Sequence, residues 1–257
     1  MAKPIFPWPG GKRKLAKHIL PLLGEHTCYV EPFAGAAAIF FAKEPSKVEV
    51  LNDLNGDLAN LYRVVKHHFG ELYSQFKWVL ISRENWNKIR SVPPESLTDI
   101  QRAARFLYVQ KMAFGAKVEG PTFGIARTAA PRFNLLSLER DLEDAHLRLT
   151  RTYIEQLDWK RLINKYDSES TVFYCDPPYW ETEGYGIEFG WQEYEALAEL
   201  SHTLKGRMVL SINSHPEIRK LFSGIPLKEV DYRYTIGGAD EANSKPVKEL
   251  IYWTEAG

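Results

Sequence analysis

The architecture of this chain follows from one run of nine residues, Thr171-Val172-Phe173-Tyr174-Cys175-Asp176-Pro177-Pro178-Tyr179. The first five are apolar or β-prone and predict a buried strand that stops at an acid and two prolines. Proline fixes φ and removes a backbone donor, so the carbonyl groups around Pro177 are held outward as acceptors. In open α/β sheets, ligands bind at such carboxyl ends of strands. With Asp176 as acceptor and Tyr179 as a flat π surface, the corner suits a planar ring with an amino group. A strand-exit turn with a capping Asp is the alternative.

A second stretch near the amino end has the layout of a nucleotide-binding turn. A short predicted strand, Cys28–Glu31, runs into Pro32-Phe33-Ala34-Gly35 and then into a helical run over 36–43. A strand, a glycine turn and a helix together place a nucleotide-like ligand over the helix start. A further strand, 47–51, leads to Asp53, 18 residues after Gly35. In such folds an acid about 20 residues past the glycine contacts ribose hydroxyls. The turn lacks a full G-x-G-x-x-G, which disfavours a plain NAD site.

Four motifs in register resemble those of Dam-type (D12 class) DNA adenine N6-methyltransferases: Pro7–Lys12, Glu31–Gly35, Asn52–Asn55 and Asp176–Tyr179. The resemblance covers nearly the whole chain, and four short motifs in the family's order are far more specific than any one of them. It implies a Rossmann-like methyltransferase fold with S-adenosyl-L-methionine (SAM) as methyl donor. It also implies that the acceptor is the N6 amino group of a flipped adenine in double-stranded DNA. The chain is therefore expected to be a site-specific DNA methyltransferase.

The resemblance also implies roles for individual residues. Contacts to the donor are expected from Trp8, Lys12, Phe33, Gly35, Asp53 and Asp176, and catalysis from Asp176, Pro177 and Tyr179. The chain departs from the family's F-x-G-x-G turn, because Ala37 stands at the second glycine position. A methyl group there is expected to narrow the backbone's approach to the donor.

The expected chemistry follows from the electronic structure of adenine, whose exocyclic amine is a poor nucleophile because its lone pair is delocalised into the ring. Hydrogen bonds from both amino protons to fixed acceptors favour a tetrahedral nitrogen with a localised pair. Asp176 and the carbonyl of Pro177 are the expected acceptors, so catalysis needs positioning and preorganised electrostatics without a covalent enzyme intermediate. Stacking of the base on Tyr179 contributes roughly 1–3 kcal/mol, comparable to the cost of unstacking it from the duplex.

The charge of the chain is balanced overall but uneven locally. Thirty-three basic and thirty-three acidic residues leave a formal net charge of zero, which argues against a general nucleic-acid coat. Basic residues cluster near the amino end and in the middle, where they suit a groove that follows phosphates. A solvated helix face is the alternative. The predicted DNA contacts are Lys111, Lys117, Arg127, Arg132, Lys245 and Lys248.

Strands and helices alternate at both ends of the chain and predict a doubly wound α/β sheet. Helical periodicity predicts helices over 12–23, 36–43, 56–68, 102–113, 135–149 and 191–204. Strand-like runs predict further strands over 153–157, 208–212, 229–236 and 247–253. The middle is mainly helical, which predicts an inserted target-recognition region at 57–135 within a SAM-binding catalytic domain formed by 1–56 and 136–257. Within the insert, Phe114–Gly124 is expected to form a hairpin that reads base edges in a DNA groove, with a plain surface loop as the alternative. At 257 residues and 44% hydrophobic, the chain has ample core.

Other features argue against certain sites and locations. Cys28 and Cys175 both fall in apolar strands, which favours buried reduced thiols, and the His residues lack ligand spacing, so no metal site is predicted. Prolines, glycines and charges interrupt the amino end, so neither a signal peptide nor a membrane span is predicted. The default expectation is a cytoplasmic enzyme of a bacterial or phage-infected bacterial cell.

Two further functions stay open from the sequence. A cytosine N4 DNA methyltransferase needs the same amino-group chemistry, although such enzymes more often carry Ser at the position of Asp176. A DNA-binding protein with a relic donor pocket is the non-enzymatic alternative, against which the intact motif residues argue. The target bases and the oligomeric state do not follow from the sequence.

Overall fold

A computed structural model of the chain describes residues 2–125, 133–181, 189–232 and 247–255. Within these residues seven strands form one sheet, and their β-branched and aromatic residues suit a pleated, buried surface. The strands are β1 (Cys28–Glu31), β2 (Val48–Asn52), β3 (Thr152–Glu155), β4 (Thr171–Cys175), β5 (Arg207–Asn213), β6 (Leu227–Tyr232) and β7 (Val247–Trp253). The bounds of β1, β4 and β7 are those predicted from the sequence.

The strand order across the sheet is β3-β2-β1-β4-β5-β7-β6. Strands β1 to β5 pair in parallel, whereas β7 lies antiparallel between β5 and β6. The chain order reverses between β1 and β4. Their carboxyl ends therefore flank the switch point at which open α/β sheets bind ligands.

Helices cover the sheet and form most of the middle of the chain. Those of the described residues are α1 (Ala16–Ile19), α2 (Ala38–Ala42), α3 (Gly56–Ser74), α4 (Arg83–Ser91), α5 (Asp99–Met112), α6 (Leu135–Leu149), α7 (Trp159–Tyr166), α8 (Trp191–Thr203) and α9 (Pro216–Leu221). Side chains at the amino ends of several of these helices satisfy the first backbone donors. Asn55 caps α3, Asp158 caps α7, and Thr98 with Gln101 forms a capping box at α5.

Both faces of the sheet are covered, which confirms the doubly wound prediction. Along β4, Val172 and Tyr174 pack in a core that includes α2, α3, α5 and α6, while Phe173 and Cys175 pack in a second core with α7, α8 and α9. Successive side chains of a strand point to opposite faces. An unbroken apolar strand is therefore what a sheet with two buried faces requires.

In the middle region α3 contacts both α5 and α6, and α4 contacts α5. Helix α3 continues past His68, the predicted end, and that residue marks a kink with φ of −140°. After α5 the chain turns back on itself: Ala113 bridges Phe123, and the Phe114 amide donates to the Thr122 carbonyl at 2.7 Å. The turn predicted over Phe114–Gly124 is present, while the domain boundaries at 57 and 135 stay a prediction. None of the helices in the described residues has the length and hydropathy needed to cross a membrane.

Candidate active site

A cavity of about 350 Å³ opens at the carboxyl ends of the parallel strands. Its wall includes Gly35 after β1, Asp53 after β2, Asp158 after β3 and Asp176 after β4. Cavities of this size bind small ligands and cofactors. The early glycine turn and the late Asp-Pro-Pro corner thus meet in one site, because β1 and β4 are neighbours in the sheet.

Asp53 is held by backbone donors at the cavity wall. Its Oδ2 accepts from the Gly35 amide at 3.0 Å and its Oδ1 from the Asn55 amide at 2.9 Å. Burial raises the pKa of Asp53 to about 6, against the opposing effect of these two hydrogen bonds. The adjoining residue Asn52 joins two loops of the site, since its amide nitrogen donates to the carbonyls of Pro32 and Leu157 at 2.8 and 3.0 Å.

Gly35 adopts a conformation and a packing that suit glycine alone. Its φ of +47° is left-handed, and a Cβ atom at this position would lie 2.6 Å from Nε1 of Trp8. The Tyr62 hydroxyl donates to the Gly35 carbonyl at 2.6 Å and fixes the turn from beneath. Trp8 therefore lies directly against the glycine turn on the cavity wall.

Ala37 differs from the expectation that its methyl group narrows the approach to the donor. The residue is fully buried within the core shared with α2 and α3 and does not line the cavity. Its backbone is left-handed, with φ of 53° and ψ of 41°. The cost of alanine here is therefore backbone strain, because the residue is packed in the core and is not part of the cavity wall.

Asp176 has two polar partners on the same oxygen. Its Oδ1 lies 2.8 Å from the Lys12 ammonium and accepts from the Ser211 hydroxyl at 3.2 Å. The Tyr174 hydroxyl lies 2.7 Å from that of Ser211, so these groups form a chain that ends at the carboxylate. Burial raises the pKa of Asp176 to about 6, with Lys12 opposing and Glu249 adding to the rise.

Tyr179 lies beside this carboxylate but does not itself line the cavity, whereas Pro177 and Pro178 do. Its hydroxyl accepts from the Lys12 ammonium and donates to Glu249, and the ammonium lies 4.4 Å from the centre of its ring. The Tyr194 hydroxyl donates to the carbonyl of Pro178 and ties the corner to α8. Tyr179 is thus an anchored ring with 7% of its surface exposed.

Aromatic side chains form another part of the cavity wall. Phe33 packs between Trp159 and Phe189, with ring centres 6.0 and 5.5 Å away. All three line the cavity. Such rings present flat apolar surface to a purine or to the hydrocarbon part of a ligand.

Several acidic residues at or beside the cavity, among them Asp158, Glu31 and Glu249, were not predicted as site residues. Asp158 lies on the wall as the cap of α7, Glu31 lies there at the end of β1, and Glu249 is buried in β7 against Lys12. Asp158 had a detectable signal, because an acid after a strand and before the spacing Trp159, Leu162, Ile163 predicts a helix start. Burial raises the pKa of Glu31 to about 8, and nothing local in the sequence indicates that.

The predicted DNA contacts fall into three groups. Lys117 and Lys248 are exposed, and Lys248 lies 3.4 Å from Glu229. Lys111 is partly buried, and its ammonium donates to the Ile5 carbonyl at 2.8 Å, so one of its donors already has a partner within the protein. Arg127, Arg132 and Lys245 lie outside the described residues.

Comparison with known proteins gives a consistent result. The model of the family described as D12 class N6 adenine-specific DNA methyltransferase matches residues 8–236. The type II methyltransferase M.CviBI of Paramecium bursaria Chlorella virus NC1A is 26% identical, over 90% of this chain and 91% of its own. The DNA adenine methylase of Haemophilus influenzae is 28% identical, over 97% of this chain and 92% of its own. The crystal structure of SMU.472, complexed with SAH, aligns with a TM-score of 0.41 and 12% identity over 98% of this chain and 55% of that one, too low a similarity to inform the site.

Proposed function

The chain belongs to the family of D12 class N6 adenine-specific DNA methyltransferases, and from this membership we propose how its residues transfer a methyl group from SAM to adenine. The acceptor is an adenine flipped out of double-stranded DNA at a specific sequence, with its amino group held by Asp176 and Pro177. One observation supports this assignment above the others: Gly35, Asp53 and Asp176 line a single cavity at the switch point of the sheet.

The residues around the glycine turn suit SAM. Asp53 offers a buried carboxylate for ribose hydroxyls, and each of its oxygens retains acceptor capacity beyond one backbone donor. Gly35 lets the backbone approach closely, and Trp8, Phe33 and Trp159 supply flat surface. Bound SAM supplies an electrophilic methyl group on a cationic sulfur. Carboxylates at the wall, among them Asp158 and Asp176, favour that positive charge.

Asp176 and Pro177 would activate the acceptor. Because Lys12 and Ser211 both contact Oδ1 of Asp176, Oδ2 is the oxygen proposed to accept one amino proton of adenine, while the Pro177 carbonyl accepts the other. The nitrogen lone pair forms the new N–C bond and the electrons of the S–C bond stay on sulfur. Oδ2 of Asp176 then takes the surplus proton from N6 and passes it to water. Asp176 and Pro177 thus accelerate the transfer by positioning the amino group and by preorganised electrostatics.

Tyr179 is proposed to stack on the extruded base, and its ring would have to be reached from the side of Pro178. The role proposed for Lys12 is to fix this corner, because its ammonium contacts both Asp176 and the Tyr179 hydroxyl. Its side chain is only 2% exposed. Lys117 and Lys248 are proposed to contact phosphates, since both are exposed.

Transfer from labelled SAM to duplex DNA, followed by nucleoside analysis, tests this function. Genomic DNA from a host that lacks methyltransferases serves as the substrate, because it offers every target sequence. The wild-type enzyme should yield N6-methyladenine. Asp176→Ala should lower turnover by at least about 100-fold with the fold retained, and Asp176→Asn, which keeps an acceptor but loses the charge, tests the need for the charge.

Asp231→Asn is the matched control, because this exposed acid of β6 lies outside the cavity. It should methylate as the wild type does. Near-normal methylation by Asp176→Ala would refute the catalytic assignment, and methylated cytosine as the product would refute the acceptor.

A further inference from the structure

A cluster of four polar side chains, three of them buried and one, Asp176, partly exposed, joins the carboxyl corner of β4 to the interior of β7. Its members are Lys12, Asp176, Tyr179 and Glu249. The Lys12 ammonium lies 2.8 Å from Asp176 Oδ1 and 3.4 Å from Glu249 Oε1, and the Tyr179 hydroxyl bonds both Lys12 and Glu249. One ammonium is therefore shared between two carboxylates.

Glu249 is an unusual residue for its place in the fold. It lies inside β7, paired with Asn213 of β5 and Val230 of β6, and is completely buried. A buried carboxylate costs several kcal/mol of desolvation unless charged and hydrogen-bonding partners compensate it. An apolar residue would satisfy this strand at lower cost, so packing alone does not account for Glu249.

We propose that Glu249 is a positioning residue for methyl transfer, which shares the Lys12 ammonium with Asp176 and so keeps Asp176 a strong acceptor for the adenine amino group. This inference rests on the proposed function. Glu249 acts through Lys12 and through Tyr179, whose hydroxyl it holds, and does not itself line the cavity.

The physical argument is one of competition for a cation. A carboxylate that is fully neutralised by an ammonium ion at 2.8 Å accepts further hydrogen bonds weakly, because its negative charge is already compensated. A second carboxylate on the same ammonium weakens that compensation. Asp176 then retains more negative charge on Oδ2, which the amine needs in order to localise its lone pair and to lose a proton.

The charged and titratable groups around Asp176 all come from different elements. Lys12 comes from the amino-terminal segment, Tyr174 from β4, Glu31 from β1 and Glu249 from β7. Burial raises the pKa of Asp176 to about 6, Lys12 opposes the rise and Glu249 adds to it. Activity that requires ionised Asp176 should therefore rise with pH through about 6, and loss of the Glu249 charge should move that rise to lower pH.

The test is the pH profile of kcat for the full chain, with labelled SAM and unmethylated genomic DNA. Glu249→Gln keeps the shape and removes the charge, so kcat on the plateau should fall about tenfold while the acidic limb moves down by about half a pH unit or more. Glu249→Asp retains a charge and should restore part of kcat with a limb near that of the wild type. The control, Glu229→Gln, alters an ion-paired glutamate of neighbouring β6 and should leave the limb in place.

A second pair of variants covers the case in which Glu249→Gln does not fold. Lys12→Met should move the acidic limb of the kcat profile to higher pH, because Asp176 loses its cation and keeps Glu249 as a neighbour. In the double variant Lys12→Met/Glu249→Gln, the acidic limb should lie at lower pH than in Lys12→Met alone. The inference is overturned if the acidic limb of folded Glu249→Gln lies at the same pH as that of the wild type. It is also overturned if the limb lies at the same pH in Lys12→Met and in the double variant. Wild-type methylation of adenine and its loss in Asp176→Ala report on the proposed function separately.

Discussion

Ala37 adopts a left-handed backbone, with φ of 53°, inside the core beneath the glycine turn. For an L-residue this conformation costs roughly 1–2 kcal/mol, which accounts physically for glycine at this place in related turns. The methyl group offsets part of the cost by filling buried space, at about 0.8 kcal/mol for one carbon. The cavity side of the turn is left unaffected, because that side is formed by Gly35 and Ala36.

Ala37→Gly should therefore change stability little. Relief of strain is offset by the lost methyl group and by the freer unfolded chain, so we expect a destabilisation of at most about 1 kcal/mol. Ala103→Gly is the matched control, since Ala103 is equally buried but lies within α5. It should cost about 2 kcal/mol, because helix propensity is lost as well. Urea unfolding measures both, and equal costs would show that Ala37 is not strained.

Short irregular segments, more than the strands themselves, shape the site at the level of elements. The turn after β1 is held by the Tyr62 hydroxyl on Gly35, by Asp53 on the Gly35 amide and by Asn52 on the Pro32 carbonyl. Each of these contacts crosses from one element to another. The turn is therefore a rigid part of the sheet edge, consistent with a preorganised ligand site.

Gly35→Ala tests the rigidity of this turn. A Cβ atom would lie 2.6 Å from Trp8 Nε1 on a backbone with φ of +47°, so strain of about 1–3 kcal/mol and displacement of Trp8 are expected. SAM affinity, measured by calorimetric titration, should fall at least tenfold, about 1.4 kcal/mol. Gly70→Ala in α3 is the control, because a Cβ atom there meets nothing within 4 Å. That variant should be stabilised by up to about 1 kcal/mol with SAM affinity unchanged, and wild-type affinity in Gly35→Ala would contradict the proposed donor site.

The helices that the sequence did not predict share a simple cause. Helix α4 is almost entirely polar and buries only Trp86, while α7 and α9 have eight and six residues. Periodicity over one or two turns is too short to separate from chance. Longer amphipathic helices such as α6, at Leu135–Leu149, follow from the sequence with their bounds.

For the whole molecule, the distribution of charge governs how DNA is held. The formal net charge is zero, so affinity depends on where lysines and arginines are placed and not on their number. Lys117 belongs to the turn after α5 and Lys248 to β7, and both are exposed. Lys47 is also exposed but precedes β2, at the amino ends of the parallel strands and opposite the cavity edge.

Substitution of these lysines should show which of the two edges of the sheet binds DNA. Lys117→Ala and Lys248→Ala should each reduce the slope of log Kd against log salt concentration by about 1, because each phosphate contact releases about one counterion. Lys47→Ala should leave the slope unchanged. Fluorescence anisotropy with duplex DNA between low and moderate salt measures these slopes. A slope that changes only with Lys47 would place DNA on the opposite edge.

Local information accounts for the strands, the longer helices and the motifs of the site. A few neighbouring residues are enough to recognise each of three features: the apolar run before Asp176, the single glycine before α2 and the acid after β2. Strand and helix formation depends on short-range periodicity and steric preference, so these elements and the family resemblance could be derived from the amino-acid order alone.

Contacts between buried residues that are distant in the sequence could be identified only from the folded structure. Lys12 and Glu249 lie at opposite ends of the sequence, and Glu249 meets the corner only because β7 inserts between β5 and β6. Two other features likewise depend on long-range packing. They are the hydrogen bond from the Lys111 ammonium to the Ile5 carbonyl and the burial of Ala37 in the core. Electrostatic and packing energies act between neighbours in space whatever their separation along the chain, and that neighbourhood exists only once the sheet has formed.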